Sequence, residues 1–321
     1  MNGRVLGLLL GVAMVGGSAE AGAAEVWVGD FEVGDLSQWN FVLNGDVGGM
    51  AYASAQSQLV AEGMFAGRLE LHNDAVWPNG LKRVELQHRP QDARTAEGAT
   101  TWFAWSFYLP EALPEDPSQQ IGYWESVNSY QQMMAFQVQG QDIAFYTRQP
   151  NNVEQWQASG VVTPEQWHRI AMGIHWSTDP GVGTVDVWFD GEQVVDQGPA
   201  RTLADDNPHF VQVGLLRGAI EFDDVPVIII DDAVEGDTLD DVRPDDLPGG
   251  GEDTGSSDGG MNTTGGPGDD TTGGETDTDT GGAVPSDEGC GCTTGPDQHR
   301  GAPWSVLTLF GLGALRRRRR R

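Results

Sequence analysis

Short runs in which apolar and polar residues alternate dominate the middle of the chain. Within residues 168–176, Ile170, Met172, Ile174 and Trp176 recur at every second position, so they share one face of an extended strand. We find no long window with the i, i+3, i+4 and i+7 spacing of an amphipathic helix. The pattern therefore predicts many short strands and few, short helices.

Turn signals separate these runs. Residues 184–189 and 193–195 flank Asp190-Gly191, a dipeptide typical of tight β-hairpins. Further strand-like runs occupy residues 102–109, 210–215 and 225–230. Many short strands with such punctuation predict an all-β sandwich of the jelly-roll type over residues 24–244.

The two flanks of this domain have different compositions. Residues 1–23 combine Arg4, a short apolar run and small residues ending at Ala23, a pattern typical of a cleaved secretory signal peptide. Residues 245–289 consist almost wholly of Gly, Asp, Glu, Thr, Ser and Pro. They hold too few apolar side chains to offset the entropy of ordering, so we expect a disordered acidic linker.

Residues 290–321 have a composition of their own. Cys290-Gly291-Cys292 is followed by a short apolar segment, residues 302–315, and six terminal arginines. As a helix the apolar segment would rise only about 21 Å, less than a bilayer core of about 30 Å. This arrangement resembles the myxobacterial C-terminal sorting signal MYXO-CTERM. The resemblance implies export, processing by sorting machinery and attachment at the cell surface.

Charge excludes one class of function. The chain carries a formal charge of −30, and residues 24–244 hold ten basic residues against 34 acidic ones, a charge of −24. A nucleic-acid binder held by a broad basic surface needs clustered cations, so that class is excluded. The scattered histidines lack the spacing of a zinc site. We assign no metal or cofactor, leave open a calcium site with ligands such as Asp30, Asp223 and Asp224, and expect a monomer.

The segment Arg83-Val84-Glu85-Leu86 resembles the R-x-E-L strand of the heparin lyase I-like polysaccharide lyases, which include glucuronan lyases. Further matches follow in the family's order, at residues 105–110, 167–169, 175–177, 187–191, 213–214 and 222–225. The resemblance implies a concanavalin A-like jelly roll whose concave sheet holds an acidic polysaccharide. It also implies β-elimination at a uronic acid.

Such an elimination needs a group that neutralises the carboxylate, a base and an acid. Arg83, Glu85 and Gln87 alternate onto one strand face. We expect Arg83 or Gln87 to contact the carboxylate and Glu85 to orient Arg83. On a second strand Tyr146 and Arg148 share a face, and we expect Arg148 to lower the pKa of Tyr146, which would then serve as base and acid. These five residues are the catalytic candidates.

Candidates for substrate binding are Trp124, Glu125, Gln137 and Arg217. Trp124, Trp156 and Trp188 are tryptophans that would stack on sugar rings if exposed, although core positions are the alternative. Arg83, Arg89, Arg148 and Arg217 are the arginines that, if clustered, would overcome the domain's negative charge.

Two positions depart from the family pattern. Glu125 stands where related lyases often carry a histidine, and Leu216 stands where they often carry a tyrosine. The sequence therefore leaves two readings open: an exported lyase, or a non-catalytic carbohydrate-binding jelly roll displayed at the cell surface.

A third, less favoured reading is a glycoside hydrolase. Its signature on this fold is E-x-D-x-x-E along one strand, with paired carboxylates as acid and base or nucleophile. Glu221-Phe222-Asp223 begins the signature, but Pro226 occupies its last position.

Overall fold

The computed structural model describes residues 25–247. The predicted signal peptide and sorting signal lie outside these residues, as does the predicted linker after residue 247. Antiparallel strands make up most of the described chain: β1 Glu25–Gly29, β2 Phe41–Leu43, β3 Asp46–Val47, β4 Met50–Ala51, β5 Ala53–Gln56, β6 Ala66–Glu70, β7 Lys82–His88, β8 Thr100–Tyr108, β9 Gln119–Ser126, β10 Gln132–Gln139, β11 Asp142–Thr147, β12 Val153–Ala158, β13 Trp167–His175, β14 Thr184–Phe189, β15 Glu192–Pro199, β16 His209–Arg217 and β17 Val227–Gly236.

Helical structure among the described residues is limited to a 3₁₀ turn, Asp92–Thr95, and one short helix, α1, Leu239–Val242. None of the helices in residues 25–247 has the length and hydrophobicity needed to cross a membrane. The prediction of an all-β jelly-roll sandwich is confirmed.

Two large sheets stack to form the sandwich. The first has the order β15-β14-β13-β8-β17-β6-β5, with β1 also paired to β17, and is called the eight-stranded sheet. The second has the order β12-β11-β10-β9-β16-β7-β2 and is called the seven-stranded sheet. In both sheets late strands lie between early ones, so neighbours in space are distant in sequence.

Period-two alternation decides which side chains enter the core. In β7, Val84 and Leu86 are fully buried between the sheets, whereas Arg83, Glu85 and Gln87 project from the opposite face. Aromatic side chains from both sheets meet in the core. Phe103 contacts Trp105 of its own sheet and Trp124 of the other, each with ring centroids 5.8 Å apart.

The predicted hairpin is present between β14 and β15. Asp190 has φ of 49° and Gly191 has φ of 82°, so both turn residues adopt the left-handed region. Two successive positive φ values define the tight turn whose twist matches that of its strands. The Asp-Gly pair supplies residue types that tolerate this conformation.

Gly214 in β16 is a position where only glycine fits. Its φ is +146°, and an added Cβ would lie 2.4 Å from the carbonyl oxygen of Val84 in the neighbouring strand. We expect Gly214→Ala to lower the free energy of unfolding by about 1–3 kcal/mol, because a backbone clash is not relieved by rotating a side chain. Urea denaturation measures the change.

Gly218→Ala is the matched control, because an added Cβ there meets nothing within 4 Å. We expect it to leave stability nearly unchanged. Equal losses in the two variants would show that the close approach at Gly214 is not what makes alanine unfavourable.

A buried arginine fastens the end of the described domain to the eight-stranded sheet. Arg169 is fully buried and donates to Asp232 at 2.6 Å, to Ser106 at 2.9 Å and to the backbone carbonyls of Val242 and Arg243 at 2.8 and 2.7 Å. Helix α1 thereby packs on the outer face of that sheet, where Val242 joins a small apolar cluster.

Candidate functional site

A line of directly paired residues crosses the seven-stranded sheet on its outer face, away from the core. Strand pairing places each member beside the next. We call this set the cross-strand row; from β2 to β12 its members are Phe41, Gln87, Gln212, Tyr123, Ala135, Tyr146 and Glu154. At about 4.8 Å per strand, the row extends about 29 Å across the sheet. Its members are one phenyl ring, two amides, two phenols, one carboxylate and one small residue, Ala135.

A buried polar cluster lies at the centre of this face. The guanidinium of Arg83 donates from Nε to Glu85 at 2.5 Å and from Nη2 to the amide oxygen of Gln212 at 2.6 Å. It also donates to the hydroxyl of Tyr123, and that hydroxyl lies within donating distance of Gln212 and, at 3.1 Å, of Glu85. The expected contact between Glu85 and Arg83 is therefore present, with two further partners.

Gln87 and Gln212 add amide groups beside this cluster. The two side chains pair across β7 and β16, and the Gln212 amide nitrogen donates to the oxygen of Gln87 at 3.2 Å. Gln87 is only half-buried, so its amide nitrogen is available to solvent or to a ligand. Such amides donate hydrogen bonds to a carboxylate without adding charge.

Burial raises the pKa values of the acidic groups in the cluster. Burial raises the pKa of Tyr123 well above its usual value, with the charge of Glu85 adding to the effect, so Tyr123 is a neutral hydrogen-bond donor. Burial likewise raises the pKa of Glu85, against the opposing effect of Arg83.

Glu125 follows Tyr123 by two residues and lies on the same face of β9. The residue is buried, with 9% of its surface exposed. Burial raises the pKa of Glu125 to about 8, with Arg83 opposing the rise and Glu85 adding to it. A carboxyl group in this range exchanges a proton near neutral pH, which is the property required of a general acid or base.

Tyr146 and Arg148 do lie together, as the sequence indicated, with the guanidinium carbon 5.2 Å from the phenol ring centroid. Arg148 acts on the pKa of Tyr146 in the expected direction, but the prediction of a lowered pKa is wrong. Burial and a hydrogen bond of 2.9 Å to Glu154 raise the pKa of Tyr146, and Arg148 opposes them only in part. Tyr146 is therefore a proton donor in this fold.

Gln137 also lies on this face, paired with Ala144 of β11 and Gln120 of β9. Its amide nitrogen donates to Ser118 at 2.5 Å. A shallow pocket between β10, β11 and β12 is lined by Gln137, Ala144, Tyr146 and Gln157. Its lining continues the polar character of the row toward the β12 edge.

Trp124 and Arg217 lie elsewhere. Trp124 is buried in the core against Phe103 and Trp176, because neighbours in a strand face opposite sides and Glu125 takes the outer side. Arg217 is fully buried at the end of β16, where it forms an ion pair with Asp224, with one nitrogen–oxygen distance of 2.7 Å, and stacks on Phe222. Neither side chain lines the cross-strand row.

Trp156, Trp188 and the four arginines considered as a cluster also have other partners. Trp156 packs on Phe189, and Trp188 lies on the eight-stranded sheet beside Trp102. The four arginines considered together each bind a separate partner: Arg83 with Glu85, Arg89 with Asp92, Arg148 with Asn152 and Arg217 with Asp224. These four arginines therefore do not form one positive cluster.

Tyr123 and Gln212 are the central residues that the sequence analysis missed. Tyr123 precedes Glu125 by two positions, so alternation along β9 already placed both on one face. Gln212 had no such signal, because its approach to Arg83 depends on β16 lying between β7 and β9. Leu216 lies on the same face and packs against Tyr123 and Ala135.

The carboxylates considered for calcium have other partners. Asp30 accepts a hydrogen bond from Gln38 at 2.7 Å, and Asp224 pairs with Arg217. Across residues 25–247, no three or more His, Cys, Asp or Glu side chains are grouped to hold a metal ion.

The glycoside hydrolase signature is not formed, since Glu221 and Asp223 lie in the loop between β16 and β17 rather than along one strand.

Comparisons with known proteins identify a matching family and similar structures. A family described as polysaccharide lyase matches residues 31–234. No curated protein matches the sequence. An endo-β-1,4-glucuronan lyase from the fungus Trichoderma reesei is similar in structure, with a TM-score of 0.56, 22% identity, and coverage of 69% of this chain and 99% of that chain.

A family 131 β-glucanase catalytic domain from Podospora anserina is also similar, with a TM-score of 0.51, 13% identity, and coverage of 67% of this chain and 96% of that chain. At these identities, both likenesses establish the jelly-roll fold alone.

Proposed function

We propose, from the premise that this chain belongs to the polysaccharide lyase family, that it cleaves a uronic-acid-containing polysaccharide by β-elimination along the cross-strand row. The observation that carries the proposal is the joining of Arg83, Gln212 and Tyr123 in one buried cluster beside Glu125. This arrangement supplies hydrogen-bond donors for a carboxylate next to a group that can exchange a proton.

Neutralising the uronate carboxylate is the first requirement, because the C5 proton becomes acidic only when negative charge can spread onto that group. The amide of Gln87 lies at the surface of the row, and Arg83 and Gln212 lie below it. In our proposal Gln87 and Arg83 hold the carboxylate, with Glu85 and Tyr123 fixing the orientation of Arg83.

Glu125 is the proposed base. When ionised it removes the C5 proton, the electrons of that bond form the C4–C5 double bond, and the bond from C4 to the glycosidic oxygen breaks. The raised pKa of Glu125 favours this role, because a carboxylate that holds its proton up to about pH 8 is a stronger base than an exposed one.

Tyr146 is the proposed acid. Its phenol is neutral, half-buried and oriented by its bond to Glu154. It lies two strands from Tyr123 along the row, about 10 Å between backbones, with the small side chain of Ala135 between them. In our proposal Tyr146 gives its proton to the departing glycosidic oxygen.

An assay for unsaturated product tests the proposal. The full chain is incubated with glucuronan, alginate, heparin and pectate, with a neutral β-glucan as the control, while ultraviolet absorbance reports the new double bond. Salt is included at physiological strength, because a domain of charge −24 repels a polyuronate at long range. We expect product from at least one polyuronate and none from the neutral glucan.

The second candidate function is carbohydrate binding without cleavage, and the replacement of the family's customary His and Tyr by Glu125 and Leu216 favours it. Retention of the protein on a polyuronate column without product from any of the four polymers would support binding and overturn the lyase proposal. Product from any of them would exclude a purely binding role.

We also propose that the protein is exported and held at the cell surface. The support is the sequence of residues 1–23 and 290–321, which lie outside the described part of the chain. Fractionation of cells that produce the full chain, followed by surface proteolysis, tests this location.

A further inference from the structure

Two aromatic side chains stand at the β2 end of the cross-strand row. Phe41 is the row's first member and is 49% exposed, a large apolar surface for an ordered strand residue. Trp77, from the loop before β7, lies beside it with ring centroids 6.3 Å apart and planes at 73°. Because Phe41 pairs directly with Gln87, both rings continue the face on which the polar cluster lies.

The position of Trp77 is fixed by the loop that carries it. Its backbone N–H donates to Leu81 and its carbonyl accepts from Gly80, both at 2.8 Å, which closes a tight turn. The side chain of Asn44 ties the loop to β7 by donating to the carbonyls of Ala75 and Arg83 at 2.9 and 2.8 Å. An ordered aromatic group loses little conformational freedom when it binds a ligand.

Trp77 also covers the central arginine. The guanidinium carbon of Arg83 is 5.6 Å from the centroid of the Trp77 ring, within the range of a cation–π contact. Phe41 and Trp77 themselves carry no charge, so the β2 end of the face offers aromatic surface. This surface suits the apolar C–H face of a sugar ring rather than a second carboxylate.

We propose that Phe41 and Trp77 form an aromatic subsite that stacks a sugar ring of the bound polysaccharide, so that the polymer crosses the strands along the row. This inference rests on the proposed function for the identity of the row's ligand. Phe41 lies three strands, about 14 Å, from β9, which carries Glu125, so the stacked ring is not the ring whose C5 proton Glu125 removes. The subsite therefore selects polymers over short fragments.

The test uses the full-length protein carrying Glu125→Gln, so that the polymer stays intact. This reference is compared with the same protein carrying, in addition, Phe41→Ala or Trp77→Ala. Affinity electrophoresis in gels containing glucuronan, alginate, heparin or pectate measures dissociation constants. For the polymer that the wild type binds, we expect each alanine variant to weaken binding about five- to tenfold, and Phe41→Tyr and Trp77→Phe to restore most of the affinity.

Trp167→Ala is the matched control, because Trp167 is a half-buried aromatic residue paired with Tyr108 on the eight-stranded sheet. We expect it to leave affinity unchanged. In the protein with Glu125 intact, Phe41→Ala should raise KM for the polymer while leaving kcat nearly unchanged. It should leave KM for the shortest cleavable fragment unaltered.

The outcomes separate the two proposals. Unchanged polymer affinity in both alanine variants, with thermal unfolding showing them folded, overturns the subsite whether or not the protein cleaves. Weakened affinity without product from any polymer overturns the lyase proposal and supports the subsite. Sedimentation that shows a dimer of the wild type, abolished by Phe41→Ala, would assign the two rings to a second copy of the chain and overturn the subsite.

Discussion

Glu125→Gln is expected to lower the rate of β-elimination by about 10²–10⁴-fold, because glutamine keeps the shape of the side chain but cannot accept a proton. Affinity for the uncleaved polymer should change little. Steady-state measurement of product formation gives the rate, and affinity electrophoresis gives the binding. A variant that retains a third or more of the wild-type rate would remove Glu125 from the role of base.

The same residue predicts a pH dependence of the wild type. Burial raises the pKa of Glu125 to about 8, and a base acts only when ionised, so the rate should rise with pH through about 8. Any residual rate of Glu125→Gln should lack this rise. A wild-type rate that falls with pH over this range would contradict the assignment.

The pH dependence of the free energy of unfolding tests the same pKa independently. The folded state holds the proton on Glu125 more tightly than the unfolded chain does, so this stabilisation is complete at low pH and is lost as pH rises through about 8. We expect Glu125→Gln to be more stable than the wild type above pH 8. Glu192→Gln, at an exposed position of β15, serves as the control and should change neither rate nor stability.

Arg169→Met should give the largest loss of stability, about 3–5 kcal/mol. Methionine has a similar volume but leaves the hydroxyl of Ser106 and the carbonyls of Val242 and Arg243 buried without their donor. Arg89→Met is the matched control: Arg89 is exposed and its pair with Asp92 is worth at most about 1 kcal/mol. Similar urea midpoints for the two variants would show that Arg169 does not fasten the C-terminal segment.

Local sequence patterns predicted the strands and one face of the site because both depend on alternation within a single strand. Arg83, Glu85 and Gln87 share a face whatever strand lies beside them. The same rule separates Trp124 from Glu125, and assigning both to the substrate overlooked it. The hairpin at Asp190-Gly191 was predictable for an equally local reason, since two residues in the left-handed region set its geometry.

Contacts between distant strands were not predictable in this way. The sheet order places β16 between β7 and β9, and only that order brings Gln212 and Tyr123 to Arg83. The pKa of Tyr146 has the same origin. Its neighbour in sequence, Arg148, was visible, whereas Glu154 approaches it through the pairing of β11 with β12.

The anchorage made by Arg169 has a practical consequence for handling the protein. It holds residues 242 and 243 against the eight-stranded sheet, on the side of the sandwich opposite Gln87, Tyr123 and Tyr146. A resin, surface or reporter coupled at residues 245–247 is therefore joined to the back of the molecule. Immobilised through these residues, the protein presents its front to long chains in solution.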